Sequence, residues 1–284
     1  MAGNKRGKLA AANYLQHELE VALHLAEEAG DLILGYYRTS PVVERKEGQE
    51  PVTEADRAAD ALIAARLRSD FPRDGLLTEE SHDDLPRLAK ERVWIVDPLD
   101  GTTEFINETG EFAVQIALTM QGQPVLGVVY QPTSRQLYYA VQGCGAHQVC
   151  ADGPRHLHVS TEADPARMCL VASRSHYSDL IEAARLALGI REVNRMGSAG
   201  LKVGLVAHGL CDLYLSTTLW KEWDVCAPHI LLLEAGGMLT DLCGERIVYN
   251  KAEVTGCQGL IASNGLAHAG IVEALARLRA RAEG

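Results

Sequence analysis

Apolar residues recur at helical spacing through Val21, Leu25, Ala29, Leu32, Ile33 and Tyr36, which predicts a first long helix. RTSPVVERKEGQEPVT follows; its prolines, glycine and charges predict a loop or a flexible hairpin. The helical period resumes near Thr53 and carries Ala59, Leu62, Ile63 and Leu67 toward Phe71. LLTEES then reads as a short strand ending on acids, and Val93–Val96 as the next strand. AVQIALTM, VLGVVYQ and QLYYAV, separated by QGQP and PTSR, predict three strands of an antiparallel meander. Residues 1–155 are therefore expected to pack two helices on a mostly antiparallel sheet.

After ADGPRHLHVSTEADP the rhythm changes. MCLVAS, CDLYLS and LIAS read as strands; YSDLIEAARLALG, SAGLKVGLVAHG, VCAPHILLLEAGG and HAGIVEALARLRARA read as helices. That alternation predicts an α/β lobe over residues 156–284, with the boundary between 150 and 165. The whole is an α/β chain of the α+β type.

Composition narrows the function. At 284 residues the chain can bury a large core. Its formal charge of −11 argues against a general nucleic-acid binder, which shows a basic face. A small anionic ligand stays compatible if a bound divalent cation reverses the local sign. Apolar runs fall short of the roughly 18 residues that span a membrane, and the basic opening lacks the apolar core of a signal peptide. A cytoplasmic protein with no membrane contact is expected. The seven cysteines (Cys144, Cys150, Cys169, Cys211, Cys226, Cys243 and Cys257) are irregularly spaced without a CxxC, so they read mostly as reduced core residues.

The candidate chemistry lies in acids placed where loops meet regular elements: Asp56 in VTEAD, Glu79 and Glu80 in TEES, Asp97 and Asp100 in DPLD, and Asp224 in WD. Each has a structural explanation alone. Thr53-x-x-Asp56 resembles a capping box, DP and DG are turn pairs, Glu79-Glu80 suits a solvated strand end, and Asp224 suits a helix cap. Together they suit Mg²⁺, a hard cation that takes oxygen ligands. Asp97 and Asp100 on one turn can face a single point, with the Leu99 carbonyl between them. A Glu from a neighbouring strand end and an Asp from the second lobe would complete two adjacent sites. Clustering these carboxylates without a cation is costly, and paired metals clamp the oxygens of a phosphoryl transfer. Gly101-Thr102-Thr103 would open a short helix whose free N–H groups hold a phosphate.

DPLDGTTEF, the upstream TEES and the downstream WDVCAPHILLLEAGG resemble the inositol monophosphatase superfamily of Mg²⁺-dependent, lithium-inhibited phosphatases, in the family's order along nearly the whole chain. The resemblance implies a layered α/β/α/β/α sandwich of the inositol monophosphatase/fructose-1,6-bisphosphatase type, with the active site between the lobes. It implies two or three Mg²⁺ held by Glu79, Asp97, the Leu99 carbonyl, Asp100 and Asp224, with Glu80 the weaker member of its pair. Thr102, backed by Asp56, would orient and help deprotonate the attacking water. The backbone at Gly101 and Thr102 would hold the scissile phosphate.

Three stretches are similar to the 3′(2′),5′-bisphosphate nucleotidase branch, which converts 3′-phosphoadenosine 5′-phosphate to AMP. VASRSH places Ser175 and His176 beside an adenosine, GSAGLK supplies Ser198 and Lys202 near a second phosphate, and KEWDVCAP follows that branch's tryptophan-aspartate segment. Gly110–Phe112, GEF, leans the same way. Trp220 and Trp223 are expected to pack at the lobe junction, with Trp220 as the alternative flank of a base. The partner expected is a small phosphate ester, a bisphosphorylated adenosine nucleotide, with no nucleic-acid polymer; family members often dimerise, so the resemblance implies a homodimer. Inositol monophosphate and fructose 1,6-bisphosphate are the rival substrates, and a catalytically inactive nucleotide or metal sensor is the non-enzymatic alternative.

Overall fold

Helices α1 (Gln16–Tyr36) and α2 (Glu54–Asp70) form where the apolar spacing predicts them. The structure is a computed structural model that describes residues 14–39, 43–45, 51–83, 85–256 and 259–282. α1 buries Leu19, Ala22, Leu25, Ala29 and Ile33 as one stripe. α2 opens in a reciprocal cap: the Thr53 hydroxyl accepts the Ala55 N–H, and the Asp56 carboxylate accepts the Thr53 N–H. Between the helices, β1 (Val43–Arg45) and β2 (Pro51–Thr53) pair antiparallel, as the flanks of the expected hairpin; residues 46–50 lie outside the described residues.

Next come β3 (Gly75–Thr78), β4 (Arg92–Asp100), a short helix α3 (Thr102–Ile106), β5 (Ala113–Met120), β6 (Gln123–Gln131), β7 (Gln136–Val141), β8 (Gly145–Cys150) and β9 (Gly153–Leu157). The seven strands lie side by side in chain order, with β3–β4 parallel and every later pair antiparallel. Two expectations need correcting. The segment after QLYYAV, to which the sequence pattern assigned no element, supplies β8 and β9. Their sequences, GAHQVC and GPRHL, are short and half exposed, so ladder pairing rather than an apolar pattern makes them strands. The DPLD turn is a continuation of β4: pairing with β5 lapses between Asp97 and Asp100 and then resumes. Pro98, which has no N–H to give, sits in that lapse.

The second sheet has the order β11-β10-β12-β14-β13. It combines β10 (Cys169–Ser173), β11 (Glu192–Met196), β12 (Leu213–Ser216), β13 (Met238–Thr240) and β14 (Leu260–Ser263). Strands β11 and β13 carry little buried apolar surface, and the sequence pattern passes over both. The accompanying helices are α4 (Asp179–Ala187), α5 (Ala199–Ala207), α6 (Glu222–Glu234) and α7 (His268–Ala282).

These elements stack in five layers. α1 and α2 cover one face of the seven-stranded sheet, α5 and α6 lie between the sheets, and α4 and α7 cover the far face of the second sheet. α6 touches β4, β5, β6 and β7 on one side and α5 on another. Cys169, Cys211 and Cys226 are buried and unbridged, as expected, and Cys257 lies outside the described residues. Among the described residues no helix is long and apolar enough to cross a membrane.

α6 carries Asp224, so its distance from the first sheet matters. Gly127 on β6 sets that distance: a Cβ there would lie 2.5 Å from the Ala227 carbonyl oxygen and from Ile230 Cγ2. Gly127→Ala must push α6 outward. We expect it to cost about 1–3 kcal/mol of stability, read as a lower midpoint in urea with an unchanged slope.

Candidate active site

Asp97, on the buried end of β4, is the centre of the acidic cluster. Its Oδ1 accepts the Leu99 N–H at 3.0 Å. Burial pushes its carboxyl well above the usual range, and the charges of Glu79, Asp100 and Asp224 push it the same way. Acids from the end of β3, the end of β4 and the first turn of α6 therefore surround one buried carboxylate.

Asp100 is tied into the second half of the chain. Its Oδ2 accepts Gln115 Nε2 at 2.7 Å, the Ser198 hydroxyl at 2.5 Å and the Gly200 N–H at 2.8 Å. Its Oδ1 accepts the Ala199 N–H at 3.1 Å. Ser198, Ala199 and Gly200 begin α5, so the acid from β4 lies against the positive end of that helix. Asp224 Oδ2 accepts the Lys221 N–H at 2.7 Å, and the cap foreseen as its structural explanation is present. Asp56 divides its two oxygens. Oδ2 serves the Thr53 cap, and Oδ1 accepts the Thr102 hydroxyl at 2.8 Å. The capping role and a role beside Thr102 thus coexist on one side chain. Burial raises the Asp56 carboxyl, and the Thr53 and Thr102 hydrogen bonds oppose that rise.

These groups border a cleft of about 490 Å³. It is lined by Glu79, Asp97, Leu99, Asp100, Gly101, Thr102 and Asp224 together with Ser175, His176, Ser198 and Lys202. Asp56 stands behind Thr102, reaching the cleft only through that hydroxyl. Glu79 faces Asp97, while Glu80 is felt at Arg57. Gly101 has φ 103°, and a Cβ there would lie 3.0 Å from the Glu111 carbonyl oxygen, so a side chain would strain the entry into α3. Ser175 and His176 are exposed; the Ser173 hydroxyl accepts the His176 N–H at 3.1 Å and fixes that turn. Ser198 is buried and committed, donating to Asp100 and capping α5 at Leu201.

Lys202 is buried over the Tyr214 ring, its Nζ 5.4 Å from the centroid. Burial lowers its ammonium, while Asp100, Glu104, Glu111 and Asp224 raise it. Trp220 is packed under Gly256, where a Cβ would lie 2.0 Å from the indole; Trp223 lines the cleft in its place. The packing expected of Trp220 is found, and its alternative role beside a base is not.

Several cleft-side residues escaped the sequence reading. Glu104 is pressed against Gly197, and Glu111 links the Arg174 guanidinium (2.6 Å) to the Gly197 N–H (2.7 Å). Gln115, fully buried on β5, donates to Asp100 and to the Asp224 carbonyl at 3.3 Å. An amide side chain inside the apolar strand AVQIALTM was the available signal, since a buried amide needs partners.

The donor set suits Mg²⁺. Among the described residues no three His, Cys, Asp or Glu side chains already form a closed cage. Mg²⁺ does not need one: it keeps waters and uses one or two carboxylates together with substrate phosphate. Asp97 and the Leu99 carbonyl, with Glu79, Asp100 and Asp224 around them, supply hard oxygen donors of that kind.

A five-layered fold with an oxygen-rich acidic cleft defines a metal-dependent phosphatase. A sequence profile described as the inositol monophosphatase family matches residues 15–280. The chain is 38% identical over 242 residues to a 3′(2′),5′-bisphosphate nucleotidase CysQ of Aggregatibacter actinomycetemcomitans, covering 84% of this chain and 89% of that protein. It is 34% identical to the Nus factor SuhB of Escherichia coli, over 80% of this chain and 85% of the other. Among solved structures, a Thermotoga maritima IMPase superposes with a TM-score of 0.81 at 28% identity, covering 94% of this chain and 99% of its own. The chain belongs to the inositol monophosphatase family.

The acidic cluster has a measurable consequence. In protein stripped of divalent cations, Asp97→Asn keeps an acceptor for the Leu99 N–H and removes a charge that three acids oppose. We expect its Tm to rise by a few degrees over the wild type's. Added Mg²⁺ should raise the wild-type Tm and leave that of the variant nearly unchanged.

Proposed function

We propose that this phosphatase hydrolyses the 3′-phosphate of 3′-phosphoadenosine 5′-phosphate, giving AMP and inorganic phosphate. The observation that carries this reading is one cleft that gathers the acids and Thr102 with Ser175, His176 and Lys202. The similarity to proteins named 3′(2′),5′-bisphosphate nucleotidase over most of the chain supports it.

In this reading Glu79, Asp97, the Leu99 carbonyl, Asp100 and Asp224 hold Mg²⁺. When bound, the cation polarises the phosphoryl oxygens and offsets the charge that develops on them. The chain's own groups position the reactants. Thr102 donates its hydroxyl hydrogen bond to Asp56 Oδ1, which leaves Oγ1 lone pairs to accept from the attacking water and to orient it. The Gly101 and Thr102 N–H groups, before the first turn of α3, hold the phosphate oxygens. Lys202 faces the second phosphate, and Ser175 and His176 face the adenosine.

Hydrolysis of inositol monophosphate is the second reading. One observation favours it: Lys202 is already surrounded by Asp100, Glu104, Glu111 and Asp224, so its charge is partly answered within the protein. A parallel comparison of the adenosine bisphosphate, inositol monophosphate and fructose 1,6-bisphosphate at one Mg²⁺ concentration separates the readings. The bisphosphate nucleotide should give the highest kcat/KM. Lys202→Ala should lower that value roughly tenfold or more and spare inositol monophosphate; equal losses on both would reject the nucleotide assignment. Thr102→Ala should lower kcat by roughly 10²–10⁴ on whichever ester proves to be the substrate, with little change in KM.

A further inference from the structure

Glu104 lies on α3, two residues past Thr102, and lines the cleft. It is only 9% exposed. Gly197 leaves the room it occupies: a Cβ there would lie 2.5 Å from the Glu104 carboxyl carbon. A buried carboxylate calls for donors, and this one is short of them. Among the described residues its own backbone N–H is the one donor that reaches it. Lys202 attracts it through space, while Asp100 and Glu111 repel it. Glu111, by contrast, is satisfied by the Arg174 guanidinium and the Gly197 N–H.

Thr102 and Glu104 turn to different parts of the chain. The Thr102 hydroxyl meets Asp56 of α2, whereas Glu104 lies against Gly197, just before α5. In an in-line displacement the attacking and leaving oxygens stand on opposite sides of phosphorus. With the water held by Thr102, the sugar that carries the leaving oxygen lies on the side of Gly197 and Glu104. Glu104 is within one helical turn of Thr102, about 5 Å, so its carboxylate can meet a group one carbon away from the phosphate ester. An ionised carboxylate only accepts, so a phosphate cannot be its partner and a hydroxyl can. In a nucleoside 3′-phosphate that hydroxyl is the 2′-OH.

We propose that Glu104 is a specificity-determining residue: its carboxylate accepts the sugar hydroxyl next to the scissile phosphate, so that the enzyme selects a ribonucleotide over its 2′-deoxy counterpart. The inference rests on the nucleotide reading given above and deepens it, because it assigns recognition of the sugar as well as of the phosphates.

Adenosine 3′,5′-bisphosphate and its 2′-deoxy analogue, assayed on the intact protein with Mg²⁺, provide the test. Wild type should prefer the ribonucleotide in kcat/KM by roughly tenfold or more, because the deoxy analogue leaves a buried acceptor unpaired. In Glu104→Ala that preference should shrink to about twofold or less. Glu104→Gln keeps the shape and offers a neutral acceptor, so its preference should fall below that of wild type; this variant decides the matter if Glu104→Ala does not fold.

A role for Glu104 as counter-charge to Lys202 alone would lower the rates on both nucleotides equally and leave their ratio at the wild-type value. That result would overturn the proposal, as would a wild type that turns over both nucleotides equally well. Wild-type protein that hydrolyses neither of them would sink the nucleotide reading itself, and the proposal with it. That failure is distinguishable because it appears before any variant is made.

Discussion

Repulsion among acids at Asp97 is the constraint around which the site is built. Glu79, Asp100 and Asp224 all act on a carboxylate that is itself buried, and every one of these charges raises the free energy of the others. Such a cluster persists only if each member is held in place by something else. Asp100 is held by the start of α5, Asp224 by the N–H of Lys221 and Asp97 by the N–H of Leu99, as nearby Asp56 is by the start of α2. The hydrogen bonds that look like ordinary caps are what keep like charges near one another.

This explains why the acidic cleft lies where helices begin. A helix start offers unpaired N–H groups and a favourable potential for an anion. α5 spends its first N–H groups on Asp100, an acid supplied by the other sheet, and so joins the two sheets through the site itself. α6 lies between the sheets and presents Asp224 from its first turn, at a distance set by the missing side chain of Gly127. The layers are thus arranged so that acids remote in sequence meet in one cleft.

Lys202 shows how little a residue type says without its surroundings. As a lysine in GSAGLK it suggests a cation for phosphate. In the fold it is buried against Tyr214 and pulled by four carboxylates, which raise its ammonium while burial lowers it. Its charge belongs to the acidic network as much as to any ligand.

The long helices, the meander and the acids of DPLD, TEES and WD were legible in the sequence because they depend on near neighbours: apolar periodicity for helices and strands, turn chemistry and caps for the acids. The half-exposed strands β8, β9, β11 and β13 were not, since a strand with little apolar surface is defined by its ladder partner. Gln115 looked like one polar residue in an apolar strand; its reach to the Asp224 carbonyl, 109 positions away, exists only once β5 and α6 are packed together. Sequence alone determined the long helices, the apolar strands and which acids could bind a cation, because those properties are local. Tertiary structure alone decided which acids meet, which hydroxyl Asp56 receives and which acid Gln115 reaches, because each requires contacts between residues that the chain itself keeps far apart.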